Sequence, residues 1–189
     1  MIGKKTMAMA VALCALCAGA TEYTWTGNGA AGNWNDAANW SPSTGDFVGL
    51  VNLIVEANDG FTFGITNRAI SATGTVEVAS GTLKFCGTAS WLGATNVTVS
   101  GGTLVVPHSQ VFDRYADLHL SAGALQLDEG VSQKIHNLYL DGSEKHARNG
   151  RYGALGNTSV PAANRTARIT GPGILNVLGD GSGLTVIFR

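Results

Sequence analysis

Hydrophobic and polar residues alternate along the middle of the chain in short runs that recur at a constant interval. Three of these runs begin at Val76, Val97 and Leu118 and read VEVASGTLKF, VTVSGGTLVV and LHLSAGALQL. We call the spacing from Val76 to Val97 the repeat interval. Alternation with a period of two is typical of half-buried strands, and an internal period of this length indicates stacked repeats. The pattern therefore predicts that equivalent residues of successive repeats lie on top of one another.

A glycine separates the two short strands of each repeat. The four positions, each one repeat interval from the next, are Gly60, Gly81, Gly102 and Gly123. Glycine permits a sharp corner and the close approach of neighbouring backbones. A bulky residue then returns at the same interval, at Ile70, Trp91 and Phe112. These positions predict a third side for each repeat.

Stacking of the repeats about 4.8 Å apart would bury ladders of like side chains. The predicted ladders are Val55, Val76, Val97, Leu118 and Leu138; Leu83, Leu104 and Leu125; and Phe85, Val106 and Leu127. Burying each side chain of this size stabilises the folded state by about 1.5–3 kcal/mol. We predict an all-β fold, a single-stranded right-handed parallel β-helix (solenoid) with coils of about 21 residues and capped ends. The competing interpretation is a β-sandwich of unrelated short strands.

The segment 1–20 has the pattern of a secretory signal peptide. Lys4 and Lys5 precede an apolar run at 7–17, which is too short for a stable membrane anchor, and a small-residue cleavage site follows at 18–20. We predict removal before Thr21 and no stable membrane insertion afterwards. Cleavage leaves Cys86 as the sole cysteine, which excludes an intramolecular disulfide.

The repeat also divides the mature chain. We predict an N-terminal cap at 21–50, the solenoid coils at 51–142, and a C-terminal loop with capping strands at 143–189. Open strand edges at the ends of a stack invite pairing unless they are covered. End-to-end self-association is therefore one predicted partner interaction.

Composition narrows the function classes. Charged residues make up 13% of the chain and the formal net charge is −1. No basic field is present for nucleic acid, so we predict no nucleic-acid partner. The 26 glycines suit many short strands joined by tight bends.

Several motifs resemble those of a known family. The stretch from Tyr23 to Trp40 contains TWTG, then GNWND and ANW; LYLDGS, GRYG and ITGPGILNV follow near the end. In this order they are similar to the autotransporter-associated β-strand repeat proteins, bacterial secreted surface proteins. The resemblance implies a parallel β-helix outside the cell, with an adhesin-like role. The chain has no segment long enough for the translocator barrel of such proteins, which leaves its export route open.

Two groups of residues are candidates for glycan binding. The first is aromatic: Trp25, Trp34 and Trp40. Their indole faces can stack on sugar rings, although a cap also needs large apolar groups. The second is basic: Lys145, Arg148 and Arg151. These side chains suit anionic glycans, but the sequence favours a flexible solvated loop.

Catalysis has one candidate cluster in the sequence. It consists of His108, Asp113, Arg114, Asp117 and His119. An Asp or His can serve as acid or base, with Arg neutralising a uronate carboxylate. However, His119 occupies an outward repeat position that elsewhere holds unrelated residues such as Glu77 and Thr98. We therefore predict no catalytic, cofactor-binding or metal-binding residues. The adjacent Asp128 and Glu129 are interpreted as a turn, and the Asp-Gly steps as turns rather than calcium sites.

The resulting functional prediction is a secreted or cell-surface protein with a structural, adhesin-like interaction role. Periplasmic retention is the alternative location. The predicted partners are surface polysaccharides or other surface proteins. The alternative functions are a small polysaccharide lyase or hydrolase and a carbohydrate-binding module.

Overall fold

The computed structural model describes residues 21–29, 36–43, 51–55, 62–66, 69–70, 74–86 and 91–179. The predicted signal peptide at 1–20, Gly60 and the predicted capping strand after residue 180 lie outside these ranges. Within them, regular structure is strand apart from two 3-10 turns, η1 (Ala37–Asn39) and η2 (Ala162–Asn164). The strands are β1 (Thr21–Trp25), β2 (Trp40–Ser41), β3 (Val51–Val55), β4 (Thr62–Thr66), β5 (Ala69–Ile70), β6 (Thr75–Val78), β7 (Thr82–Cys86), β8 (Trp91–Leu92), β9 (Asn96–Val99), β10 (Thr103–Val106), β11 (Asp117–Leu120), β12 (Ala124–Leu127), β13 (Ser132–Ile135), β14 (Leu138–Leu140), β15 (Gly150–Ala154), β16 (Arg165–Thr166), β17 (Ile169–Thr170) and β18 (Ile174–Val177).

The described strands form four sheets. The first has seven strands in the order β14-β11-β9-β6-β3-β1-β2, and the second has five in the order β17-β12-β10-β7-β4. A third sheet runs β13-β18-β15-β16, and β5 pairs with β8. Successive repeats therefore place their first strands in one sheet and their second strands in another.

The register of the middle strands follows the repeat interval. Val76 pairs with Val97 and Val97 with Leu118. Leu118 then pairs with Leu138, one residue short of the interval. In the second sheet Leu83 pairs with Leu104, and Leu104 with Leu125. The predicted place of Val55 in the first ladder is wrong: Val55 pairs with Val78, and Leu53 pairs with Val76. Partners there are further apart in sequence than in the middle repeats, so Leu53 takes the place in the ladder that was expected for Val55.

The predicted fold class, a single-stranded parallel β-helix, is wrong, because two of the sheets mix parallel and antiparallel pairs. At the N-terminal end β2 runs antiparallel to β1, and at the C-terminal end β15 runs antiparallel to β18. The repeat interval also fails there, since Leu125 pairs with the distant Ile169. The alternating pattern stops near Leu140, so nothing in the repeat fixes strand direction beyond it. The chain reverses instead and covers the open edges.

The corners confirm the predicted need for glycine. A Cβ atom on Gly102 would lie 2.7 Å from the carbonyl oxygen of Gly81, and one on Gly123 would lie 2.5 Å from that of Gly102. Real Cβ atoms essentially never approach backbone oxygen so closely. These carbonyls accept hydrogen bonds from Thr103 and Ala124, at 2.8 and 2.9 Å. The corners therefore stack with no room for a side chain.

The interior consists of inward-facing rows from all three sides. Fully buried members include Leu83, Leu104 and Leu125 from the second sheet, and Leu118 and Leu138 from the first. The third sheet adds Gln133, Leu175 and Tyr152, which lie side by side in register. All three are buried, so the opposite face of this sheet is directed to solvent.

Gln133 is the polar member of that row, at 1% exposure. Its Oε1 accepts hydrogen bonds from the backbone N–H groups of Val111 (3.0 Å) and Phe112 (3.4 Å). Its Nε2 donates to the carbonyl of Phe112 (3.2 Å) and to that of Lys134 (2.7 Å). The amide thereby satisfies backbone groups of the irregular loop 107–116, which pairs with β8 through the isolated bridge between Leu92 and Phe112.

Candidate functional site

The N-terminal tryptophans contact each other inside the protein. Trp25, at the end of β1, is 3% exposed, and Trp40, at the start of β2, is 2% exposed. Their rings meet edge to face, with centroids 5.2 Å apart and planes at 85°. Neither ring can present its face to a sugar, so the cap interpretation applies to these two residues. Trp34, the third candidate, lies outside the described residues.

A buried asparagine holds this cap together. Asn39 is fully buried, and its Oδ1 accepts a hydrogen bond from the backbone N–H of Gly29 at 2.7 Å. Its backbone carbonyl accepts one from Thr26 at 2.7 Å. Asn39 therefore joins the segment after β1 to η1. The sequence shows Asn39 only as part of the ANW motif, which gives no sign of this structural role.

The candidate catalytic cluster separates into three places. Asp113 uses its carboxylate to accept a hydrogen bond from the backbone N–H of Tyr115 at 2.9 Å, which closes a local turn. Arg114 donates to the phenol oxygen of Tyr115 and also lies over that ring, 4.7 Å from its centroid. Both contacts stay within the exposed loop. Arg114 therefore does not approach Asp117 or His119 as a uronate-neutralising group would.

Asp117 instead pairs with a residue that the sequence analysis did not consider. Its Oδ1 lies 3.1 Å from Nδ1 of His136 and accepts a hydrogen bond from the backbone N–H of Asn137 at 3.2 Å. Asn137 Nδ2 lies 3.0 Å from the same imidazole nitrogen. The contacts tie β11 to the segment before β14. Asp117 and His136 are closer in sequence than one repeat interval, which is why the repeat does not reveal the pair.

His119 belongs to an aromatic stripe on the outer face of the first sheet. We use that term for His119, Tyr139 and His146. The rings of His119 and Tyr139 are stacked, with centroids 4.2 Å apart and planes at 2°. His146 contacts Tyr139 edge to face at 6.3 Å. Burial lowers the pKa of His119, partly opposed by the charge of Asp117, so its neutral form is favoured.

The basic segment 143–151 is held in place by hydrogen bonds. The backbone N–H of Ala147 donates to the carbonyl of Leu138 at 2.6 Å, and that of Ser143 donates to Leu140 at 2.9 Å. The Ser143 hydroxyl also bonds both backbone groups of Lys145, each at 3.1 Å. These contacts tie the backbone of the segment to β14. They fix the backbone while the Lys145 side chain stays exposed.

Tyr152 anchors the far end of the same segment. Its phenol donates to the carbonyl of Arg148 at 2.8 Å, while the ring itself is 6% exposed. Burial raises the pKa of Tyr152, opposed by the charge of Arg148, so the phenol keeps the proton that it donates. Arg148 and Arg151 remain exposed. The three predicted basic residues thus project from an anchored backbone.

Asp128 and Asp141 lie in turns. Asp128 accepts from Nε2 of Gln126 at 3.2 Å, and Gly130 follows with φ of 78°. Asp141, with φ of 54°, pairs with Nε of Arg168 at 2.6 Å. Among the described residues no group of three or more His, Cys, Asp or Glu side chains is placed to hold a metal ion.

One shallow groove of about 390 Å³ lies near the C-terminal end. Its lining includes Ala154, Asn157, Ser159 and Pro172. The Asn157 side chain is already engaged: its Nδ2 donates to the carbonyls of Pro172 and Gly173, and its Oδ1 accepts from Ser159. The Asn157 amide is therefore not available to a ligand in this groove.

Comparisons of the chain with protein-family models, curated proteins and solved structures give no match. The resemblance of its motifs to the autotransporter-associated repeat proteins therefore stays a prediction. Among the described residues, no helix is both long and apolar enough to cross a membrane.

Proposed function

We propose that the chain is a secreted or cell-surface protein with a structural, adhesin-like role, which binds its partner through the exposed basic segment 143–151. The observation that carries this proposal is the anchoring of that segment. Lys145, Arg148 and Arg151 are exposed, while the backbone between them is fixed to Leu138, Leu140 and Tyr152. A fixed backbone loses less conformational freedom when a ligand binds.

The proposed location rests on the leader-like residues 1–20, with periplasmic retention as the alternative. The proposed partner is a surface polysaccharide or another surface protein. A second observation is compatible with this role: the aromatic stripe adjoins the basic segment through His146, so apolar ring surface and positive charge lie next to each other. Aromatic residues and arginine are both enriched at protein–protein interfaces.

One contact favours an enzymatic alternative. A carboxylate against Nδ1 of an imidazole is the arrangement that orients a general base. Asp117 and His136 have this arrangement. The second candidate function is therefore cleavage of an acidic polysaccharide by a lyase or hydrolase, with His136 as the base and Asp117 as its positioning residue.

The test combines a glycan array with a uronate-cleavage assay, both on the processed chain from residue 21. The expected result is binding without release of unsaturated or reducing ends. Binding should weaken in the Lys145→Gln/Arg148→Gln variant and persist in Lys84→Gln, which removes a charge from a different sheet. Turnover that disappears in His136→Gln would replace the proposal with the enzymatic alternative. A chain found in the cytoplasm after fractionation of expressing cells would contradict the location.

A further inference from the structure

The third sheet carries a basic surface that the sequence analysis did not single out. Its inward row consists of Gln133, Leu175 and Tyr152, all buried. The residues one position along each strand are Lys134, Asn176 and Arg151, which are also paired in register. Because side chains alternate across a strand, these three project together from the opposite, outer face.

The fourth strand continues this row. Arg165 of β16 pairs with Gly153, which lies two positions after Arg151 and therefore on the same face of β15. The guanidinium of Arg165 donates from Nε and from one terminal nitrogen to the carbonyl of Val160, at 3.2 and 3.1 Å. These bonds hold the side chain while leaving other N–H donors of the fork available.

The charges on this face are of one sign. The four strands read SQKI, ILNV, GRYGA and RT, with three cations and no acidic residue. Within the described part of the chain, no carboxylate forms an ion pair with Lys134 or Arg151. We call Lys134, Arg151 and Arg165, with Asn176 between the first two, the basic row.

Neighbouring strands of a sheet lie about 4.8 Å apart, so Lys134 and Arg151 are separated by roughly 10 Å across the strands and Arg165 by about one strand more. Arg165 also lies about 7 Å further along the strands, because it pairs with Gly153 rather than with Arg151. The cations are thus spread over an extended stretch of the sheet rather than grouped around a point. Charges spread in this way fit a polymer with repeated anionic groups better than a single small anion.

We infer that the basic row binds an extended polyuronate, an anionic polysaccharide whose carboxylates pair with Lys134, Arg151 and Arg165. Two of the three cations are arginines, whose planar forks match carboxylate geometry. Asn176 lies between the cations. Its Nδ2 already donates to the Ser132 hydroxyl (3.0 Å) and to the Gln133 carbonyl (3.3 Å), while its Oδ1 can accept from a sugar hydroxyl. The basic segment reaches the same strand, because β15 begins directly after residue 149. This inference rests on the proposed interaction role and specifies its ligand.

Binding of the processed chain to immobilised polygalacturonate tests the inference. Lys134→Gln and Arg151→Gln should each weaken binding by about two- to fivefold, because a solvent-exposed ion pair contributes modestly. The double variant should weaken binding further, and added salt should reduce the difference between variants. Lys84→Gln is the matched control: it removes one exposed positive charge from β7, in another sheet, and should bind as the unaltered chain does.

Three outcomes would overturn the inference. If Lys84→Gln weakened binding as much as Lys134→Gln does, net charge alone would explain the effect. If the chain bound neutral dextran as well as polygalacturonate, the carboxylates of the polysaccharide would not contribute to binding. Binding to dextran sulfate or to single-stranded DNA without binding to polygalacturonate would assign the surface to a different polyanion. Each variant is first checked by thermal unfolding; should Arg151→Gln not fold, Lys134→Gln decides, since the Lys134 side chain forms no hydrogen bond within the described residues.

The same experiments distinguish failure of the polyuronate inference from failure of the proposed interaction role. If the chain binds a neutral glycan on the array but not polygalacturonate, the polyuronate inference fails and the interaction role stands. If it binds polygalacturonate equally well in the double variant, the site is wrong and the ligand class is right. If no glycan and no cell surface retains the chain, both are wrong.

Discussion

The middle of the chain, 74–127, and the C-terminal part, 132–179, are built from strands of similar length by different rules. In the middle, paired residues of the two largest sheets are one repeat interval apart and all their pairs are parallel. In the C-terminal part, β13 and β18 pair at twice that interval and β15 runs antiparallel. The first arrangement follows from a repeated local pattern, whereas the second depends on which strand edges remain to be covered.

The two regions also differ in the charges on their surfaces. Outward positions in the middle include Glu77, Lys84 and Asp117, so charges of both signs are interspersed. The C-terminal sheet carries Lys134, Arg151 and Arg165 and no acidic residue on its strands. On the strands of this sheet the charges are of one sign, whereas the carboxylates of the C-terminal part, such as Asp141 and Glu144, lie in its turns and loops.

The largest expected effect is on the regular part. Leu104 is fully buried and stacked between Leu83 and Leu125, so Leu104→Ala should lower the free energy of unfolding by about 2–5 kcal/mol. Urea denaturation followed by circular dichroism measures the change. Leu155→Ala is the control, because Leu155 is 63% exposed and should change stability little. Similar losses in both variants would contradict the stacked interior.

The next effect tests the junction between the two regions. Gln133→Met keeps the side-chain volume and removes the amide that bonds Val111 and Phe112. Each unsatisfied buried backbone group costs about 1–3 kcal/mol, so we expect the free energy of unfolding to fall by about 3 kcal/mol. Denaturant unfolding measures it, and hydrogen exchange should show faster exchange at the N–H groups of these two residues. Unchanged exchange there would mean that water or other groups already satisfy the loop.

A smaller effect is expected at the corners. Gly123→Ala introduces a methyl group 2.5 Å from the carbonyl oxygen of Gly102 and should cost about 2 kcal/mol. Gly156→Ala is the matched control in the C-terminal part, where an added Cβ meets nothing within 4 Å. Thermal unfolding of both variants compares the two regions directly. A larger loss in Gly156→Ala than in Gly123→Ala would show that the corners tolerate displacement.

The sequence predicted much of the middle because alternation, glycine spacing and ladder partners all repeat within a short window. Leu83, Leu104 and Leu125 were correctly placed for this reason. It did not predict the pairing of Leu125 with Ile169 or the antiparallel β15, since no local pattern encodes contacts over such intervals. The sequence predicted only part of the candidate site. It indicated Arg151 as a binding residue, but Lys134 and Arg165 become its neighbours only because β13, β15 and β16 form one sheet.

The smallest expected effect is the pH dependence of His119, which lies at the C-terminal limit of the regular part. Burial lowers the pKa of His119 in the folded protein, so the unfolded chain binds a proton more readily. This contribution to stability is therefore present above the unfolded pKa of about 6.5 and is lost as pH falls through the lower folded value. Urea midpoints from about pH 8 to about pH 5 should fall less in His119→Gln than in the unaltered chain. Parallel curves for the two proteins would show that stacking on Tyr139 holds the protonated ring as well as the neutral one, and the stripe would then join the two regions without sensing pH.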